Sequence, residues 1–484
     1  MINLKKGLYP FWDEYLIDTR FSDVAPTVNR MERRDVVMTF DKSWEGNGTC
    51  FFSIFKDGDI YRMYYESWSF NIEGAYNKEL KNIKVCYAES RDGINWERPN
   101  LGICEFEGST DNNIIIDSIP DNFSVILDKN PDCPPEMKYK ALMLSTEKWG
   151  PDVVHELYLY VSADGLHFKK HSTISKGYTY DTLNTLHWDE HTKKYYCYIR
   201  DHYNVAKGDD ERFNESTVRA IRVFESEDCV NWTEPTLVNF NGGENYPLYT
   251  NSVMPYPLDT RYQVGFPKRY AERAEWTANF DQLPSKDLRR ERMKLNARLG
   301  LAVDDCIFMS SRDHYNWYRF DEAIVTSGPE NEMNWVYGDS TAHTGEILVL
   351  PSRFENEPDE LNLYFFEGHW MAKPTKLYRY VTRQEGFASV KAPYAKKTLK
   401  TKPFTFEGST LSLNFRTSAR GGITLRILDE LGHAIPGYTS CEIFGDSVKR
   451  VIEFEKPLSE LNGRGVIFEF TMKDAELYSM RFAD

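Results

Sequence analysis

Ser90-Arg-Asp-Gly-Ile-Asn-Trp96 is a turn that this chain uses repeatedly. It returns as Ser162-Ala-Asp-Gly-Leu-His-Phe168, Ser226-Glu-Asp-Cys-Val-Asn-Trp232 and Ser311-Arg-Asp-His-Tyr-Asn-Trp317, and a worn copy follows at Arg383-Gln-Glu-Gly-Phe387. The four serines stand 72, 64 and 85 residues apart. In such a turn the Asp carboxylate can hydrogen-bond the backbone just after it, and Gly supplies the positive φ of a tight reversal. Cys229 and His314 stand in the Gly position of two copies, so strained backbone is expected there. The closing aromatic begins the next strand and is expected to pack between units. A repeat of this length, built from short β segments, predicts blades around an axis. The turns themselves are read as scaffold.

Each turn is preceded by two apolar stretches. The nearer ones are Ile60–Glu66, Tyr139–Leu144, Tyr195–Arg200, Tyr262–Phe266 and Leu361–Glu367. The earlier ones are Gly48–Ser53, Phe123–Leu127, Leu183–Trp188, Tyr249–Met254 and Gly345–Leu350. With the strand that carries the turn and an outer one, these make a four-stranded blade, five times over. Residues from about 272 to 298 are charged and helix-permissive and interrupt the fourth unit. They suit a solvated helix or a lid over the axis. Beyond residue 394 the repeat gives way to alternating segments such as Leu411–Phe415, Ile423–Leu428 and Val466–Phe470. The predicted fold is therefore all-β: a five-bladed β-propeller over residues 1–394, followed by a β-sandwich over 395–484. All eleven tryptophans lie at or before Trp370, so the sandwich is read as structural and not as a sugar-binding module.

At 484 residues the chain is long for one ordinary core, which agrees with two domains. Its formal net charge of -15 disfavours a phosphate backbone as partner, so nucleic acid is not expected. No apolar run is long enough to span a bilayer. Lys5 and Lys6 are followed by no apolar stretch of signal-peptide type, and a cytoplasmic location is expected. The eight cysteines show no C-x-x-C spacing, which argues for free thiols and against a zinc site; no metal and no cofactor are expected. A homo-oligomer is left open.

Propeller chemistry is expected where the innermost strands begin, because ring closure gathers those residues at one mouth. The candidates for catalysis are Glu45, Asp181, Asp201 and Glu346, acids placed where an inward face favours apolar residues. Substrate contacts are expected from Trp44, Asn184, Arg200, Tyr249, Asn251, Lys268, Arg269 and Trp335. Glu66, Asp121 and Glu367 lie at related strand ends, and Asp13 and Glu14 are weaker candidates. Converging carboxylates suit glycosidic cleavage: one, its pKa lifted by burial or a like charge, protonates the leaving oxygen, and another attacks carbon or activates water. The expected partner is an oligosaccharide or glycoside. A non-catalytic carbohydrate-binding protein and a glycoside phosphorylase, with Arg200, Lys268 and Arg269 as phosphate ligands, are the alternatives.

Ser-x-Asp-Gly-x-x-Trp turns on five units with a C-terminal sandwich resemble the five-bladed glycoside hydrolases of families 32 and 43. The chain is similar to a bacterial family-32-like branch in Phe11-Trp-Asp-Glu-Tyr-Leu-Ile17, in Tyr87 to Trp96, and in Lys473-Asp-Ala-Glu-Leu-Tyr-Ser-Met-Arg-Phe482. The resemblance implies the propeller and a glycosidase activity. It does not carry over the fructoside-cleaving residues. There is no Asn-Asp-Pro-Asn motif, Arg200-Asp201 lacks a following Pro, and Cys441-Glu442 reverses the expected Glu-Cys order within the sandwich.

Overall fold

In the computed structural model, residues 1–70, 83–146, 153–204 and 217–484 are described. Five blades stand around one axis. The first joins Cys50–Asp57, Ile60–Ser67, Ile83–Ser90 and Trp96–Glu97; the second Ser124–Leu127, Tyr139–Leu144, Glu156–Ser162 and Lys169–Lys176; the third Thr185–Asp189, Lys194–Asn204, Thr217–Ser226 and Thr236–Leu237. The fourth joins Val253–Pro255, Gln263–Gly265, Ala302–Ser311 and Asn316–Val325, with Lys268–Glu272 added to its third strand. In the fifth, Leu348–Leu350, Glu360–Glu367 and Lys376–Thr382 are completed by Glu32–Thr39 from the start of the chain. That exchange closes the ring, since otherwise the last blade would present an unpaired edge. The closing strand is thus Glu32–Thr39.

The turns carry the predicted bonds in all four full copies. Asp92 Oδ1 accepts from the N–H groups of Ile94 and Asn95 at 2.8 and 2.7 Å, and Asp164, Asp228 and Asp313 do the same two and three residues on. Gly93 and Gly165 have φ of 74° and 79°; Cys229 and His314 adopt φ of 62° and 70° without glycine's freedom. The aromatics that follow pack onto the preceding blade: Trp96 meets Tyr364, Phe168 meets Tyr64, and Trp317 meets Tyr198, all edge-on. The inter-blade cores they enter are apolar and buried, as in the set Phe52, Ile54, Met63, Tyr65, Leu348, Tyr364 and Phe366.

Ring closure is tight at mid-depth. Ser53 Oγ on the first innermost strand accepts from Val125 N–H at 2.9 Å and lies 3.1 Å from Thr344 Oγ1, so strands of blades one, two and five meet across the axis. We call the end of the axis where the innermost strands begin the mouth.

Contacts divide the chain into two compact units, one of Glu32–Leu350 and Leu361–Val381, the other of Met1–Met31, Pro351–Glu360 and Thr382–Asp484. The sequence pattern placed the division at residue 394 and the first 31 residues in the propeller; here Phe11 and Trp12 sit in the second unit, Phe11 edge-on to Phe470 and Trp12 Nε1 donating to Glu385 O at 2.9 Å. The β-sandwich unit is built on two long strands, Thr410–Asp429 and Val466–Ala483, antiparallel over nearly their full length. Phe404, Phe406, Leu413, Phe415, Leu425, Phe468, Phe470 and Phe482 fill its core. Among the described residues no helix is long and apolar enough to cross a membrane.

Candidate active site

The mouth is lined where second strands end and innermost strands begin. Strand alternation on Lys194–Asn204 sends Arg200 to one face and Asp201 to the other. The Arg200 guanidinium is buried, forms an ion pair with Asp181, and stands 5.6 Å from the centre of the Tyr249 ring. Arg219, on the neighbouring strand, lies 5.3 Å from the same ring centre. From blade four, Lys268 Nζ lies 4.6 Å from it, donates to Gly338 O at 3.3 Å and stands 3.6 Å from Asp304 Oδ2. The Tyr249 and Tyr337 hydroxyls meet at 2.9 Å, and Arg298 lies over Tyr337 at 5.4 Å.

Two electrostatic consequences follow. Asp304 is fully buried; burial pushes its carboxyl up to about 6, against the pull of Lys268 and of the Gly338 N–H, which donates to it at 2.8 Å. Tyr249 is half-buried; desolvation raises a phenol, but the charges of Arg298, Arg200, Lys268 and Arg219 outweigh this and hold it below its ordinary value. Further acids sit close by. Glu66 accepts from Phe123 N–H at 2.6 Å, and the charges of Glu66, Asp121 and Lys268 all act on Cys50, whose thiol burial pushes well up. Beneath blade five's mouth, Asp339 accepts from Gly368 and His369 N–H at 2.9 and 3.2 Å; burial, then Glu367, drives it well above the carboxylate range. Glu367 is paired with Arg33 at 3.0 Å and is pushed by burial to about 7.

The charged insertion is packed down and not a solvated helix. Its helix Lys286–Met293 buries Arg289 and Arg292, which donate to the carbonyl oxygens of Trp335 and Trp370. Leu295 and Leu299 join a cluster with Phe70, Tyr249, Tyr270, Tyr337 and Trp370. Phe70 and Trp370 stack at 4.3 Å, with Trp68 edge-on to Trp370. Insertion and aromatics together form an apolar wall beside the cationic one.

Of the twelve expected site residues, the structure brings Asp181, Arg200, Tyr249 and Lys268 together. The other eight are placed elsewhere. Glu45 is fully buried and saturated by Arg98, at 2.7 and 2.9 Å, by the Tyr65 hydroxyl at 2.7 Å and by Lys42 N–H at 2.9 Å. Asp201 is buried against Arg222 Nε at 2.7 Å and Thr179 N–H at 3.1 Å. Glu346 lies past the Ser53–Thr344 closure, paired with Lys129 at 2.7 Å. Asn184 and Asn251 tie chain turns: Asn184 donates to the Tyr180 and Thr182 carbonyls, and Asn251 to those of Leu183 and Tyr198. Arg269 alternates away from Lys268 and pairs with Asp305 at 2.6 Å. Trp44 donates to Asn113 at 2.9 Å, and Trp335 donates to Gly328 O at 2.8 Å. Asp304 was missed because it lies on a third strand; its signal is an acid on the buried side of Ala302-Val-Asp-Asp-Cys306, between two apolar residues. Among the described residues no group of three or more His, Cys, Asp or Glu is placed to hold a metal ion.

No family profile and no curated protein sequence matches this chain. Among solved structures, it is similar to an N-acetylgalactosamine deacetylase from F. plautii in complex with blood group B trisaccharide, at 12% identity and a TM-score of 0.47, over 74% of this chain and 96% of that one. It is also similar to a glycosyl hydrolase from Bacteroides ovatus (13% identity, TM-score 0.42, 74% of this chain and 95% of that one). A third is the alpha-L-arabinofuranosidase Arb93A from Fusarium graminearum (10% identity, TM-score 0.39, 74% and 98%). At these scores the functional reading rests on the residues of this chain.

Proposed function

We propose that this protein cleaves a glycosidic bond of an oligosaccharide at the mouth of its propeller. The observation that carries the proposal is the convergence of two unlike carboxyl groups on Tyr249. Asp304 reaches it through Lys268, and Asp181 through Arg200. A carboxyl kept protonated toward neutral pH by burial is suited to donate to the leaving oxygen, and one gripped by a guanidinium is suited to act as base or nucleophile. The neighbouring wall of Trp68, Phe70 and Trp370 offers flat apolar surface to a sugar face. The expected pH profile follows from Asp304: activity declines as pH rises through about 6, where that carboxyl loses its proton.

The test is product release by the full chain from a panel of aryl glycosides and oligosaccharides, with Asp304→Asn and Asp181→Asn alongside. Each variant is expected to lose about 100-fold or more in kcat, the usual scale for one acid–base group, while remaining folded at the assay temperature. Unchanged turnover in both variants refutes the assignment. Oligosaccharide binding by calorimetry with no product from wild type selects a non-catalytic carbohydrate-binding protein instead.

A further inference from the structure

We infer that the propeller mouth contains an oxyanion subsite, in which Arg200, Arg219, Lys268 and Arg298, set around Tyr249 and Tyr337, receive a carboxylate, sulfate or phosphate group. The inference rests on the proposed glycoside chemistry of the same mouth and names a property of its substrate or co-substrate. The four cations come from separate places in the chain: the second and third strands of blade three, blade four, and the charged insertion. Each lies between 4.6 and 5.6 Å from the centre of one of two hydroxyl-bonded tyrosine rings.

Gathering like charges in a partly buried space is unfavourable unless an opposite charge joins them, because screening by water is reduced there. Asp181 and Asp304 answer Arg200 and Lys268. Arg219 forms no ion pair among the described residues, and its Nε is buried without a hydrogen-bond acceptor. A half-buried guanidinium whose Nε–H is enclosed without an acceptor, in a wall of three other cations, has the geometry of a receiver for a ligand oxygen. Tyrosine faces attract the cations, so the assembly holds together when empty. Composition runs the other way: the chain carries a net charge of -15, so the cations of this mouth are concentrated against the general trend.

The anion has two possible sources with the same chemistry: a charged group borne by the sugar, or a free ion that enters beside it. The experiment titrates the full chain with inorganic phosphate, sulfate and glucuronate at low ionic strength, by calorimetry and by thermal shift, for wild type, Arg219→Gln and Arg298→Gln. At least one probe is expected to bind wild type, with affinity falling about tenfold in each variant and declining with added NaCl. Tighter binding of phosphate and sulfate supports a free tetrahedral ion; tighter binding of glucuronate supports a charged sugar. No binding of any probe up to about 50 mM, an affinity too weak to be selective, overturns the subsite, as does equal binding by wild type and both folded variants. Product release from neutral glycosides, unaffected by any of the three anions, leaves hydrolysis standing and removes the subsite. Anion binding that the variants lose, in a chain that releases no sugar, leaves the subsite standing and removes the catalytic proposal.

Discussion

Replacing Asp304 by Asn should change how stability depends on pH, in a direction set by its burial. Its carboxyl rises from an ordinary 3.8 to about 6 in the folded chain. Below pH 4 it is protonated in both states and contributes nothing. Between pH 4 and 6 the unfolded chain gives up the proton and the folded chain keeps it, so wild-type stability falls as pH rises. Above pH 6 the loss levels off. Two units at about 1.4 kcal/mol each make it about 3 kcal/mol. Asn has no proton to lose, so the variant should gain on wild type by that amount between pH 4 and pH 7. With about 2.1 cal/mol/K of unfolding entropy per residue, a unit the size of this propeller has roughly 0.7 kcal/mol/K, so the gain is about 4 °C in melting temperature. The assay is paired thermal unfolding of both proteins in steps across pH 4 to 8, read as the difference at each pH. The turns supply carboxylates with the opposite sign, since Asp92 is held at about 2 by the hydrogen bonds it accepts, but these are common to both proteins and cancel. Parallel melting curves across the window refute the buried, proton-holding state on which the catalytic proposal depends.

Three further outcomes are expected. Arg222→Leu leaves Asp201 buried without its partner and should cost about 3 to 5 kcal/mol in urea unfolding; an unchanged midpoint shows that Asp201 is not structural. Glu45→Gln gives up the ion pair with Arg98 and should lower stability by about 2 kcal/mol, while glycoside turnover per folded molecule stays at the wild-type value; a folded variant that loses turnover returns Glu45 to the chemistry. Gly338→Ala places a Cβ 2.4 Å from the His369 ring at a residue with φ of 98°, and should destabilise by about 2 kcal/mol by thermal melting; a neutral effect means that this backbone does not hold Asp304 in place.

The architecture was legible because its signals are local. Each turn's hydrogen bonds run from an Asp to residues two and three positions later, so the sequence window contains donor and acceptor together. Even the strain at Cys229 and His314 could be read, since only φ at one residue is involved. The site was less legible because its parts meet across the chain. Glu45 and Asp181 both precede an innermost strand, and nothing nearby distinguishes them. What separates them is the cation each one meets, Arg98 for Glu45 and Arg200 for Asp181. Asp201 and Arg200 differ only in strand parity, yet parity sends one to a structural pair and the other to the mouth. Glu346 lies beyond Thr344, where the strand has already reached the closure with Ser53, and Lys129 takes its carboxylate.

Asp304 is a sharper probe of function than the acids that accept from backbone N–H groups. An acid at a strand end or in a loop has a structural use open to it, because backbone N–H groups there need acceptors; Glu66 satisfies one at a strand end and Asp339 two from a loop. Asp304 lies within the strand Ala302–Ser311, on its buried side, where an apolar residue costs nothing and a carboxyl must be held by Lys268 and a single N–H. A position that carries an avoidable burial penalty, beside a lysine with the same penalty, is most economically explained by chemistry that needs a proton there. If Asp304→Leu and Lys268→Met combined in one chain raise the melting temperature and abolish sugar release, as expected for an ion pair replaced by packing, the pair is kept for function; if the double variant releases sugar at the wild-type rate, the proton donor is another group.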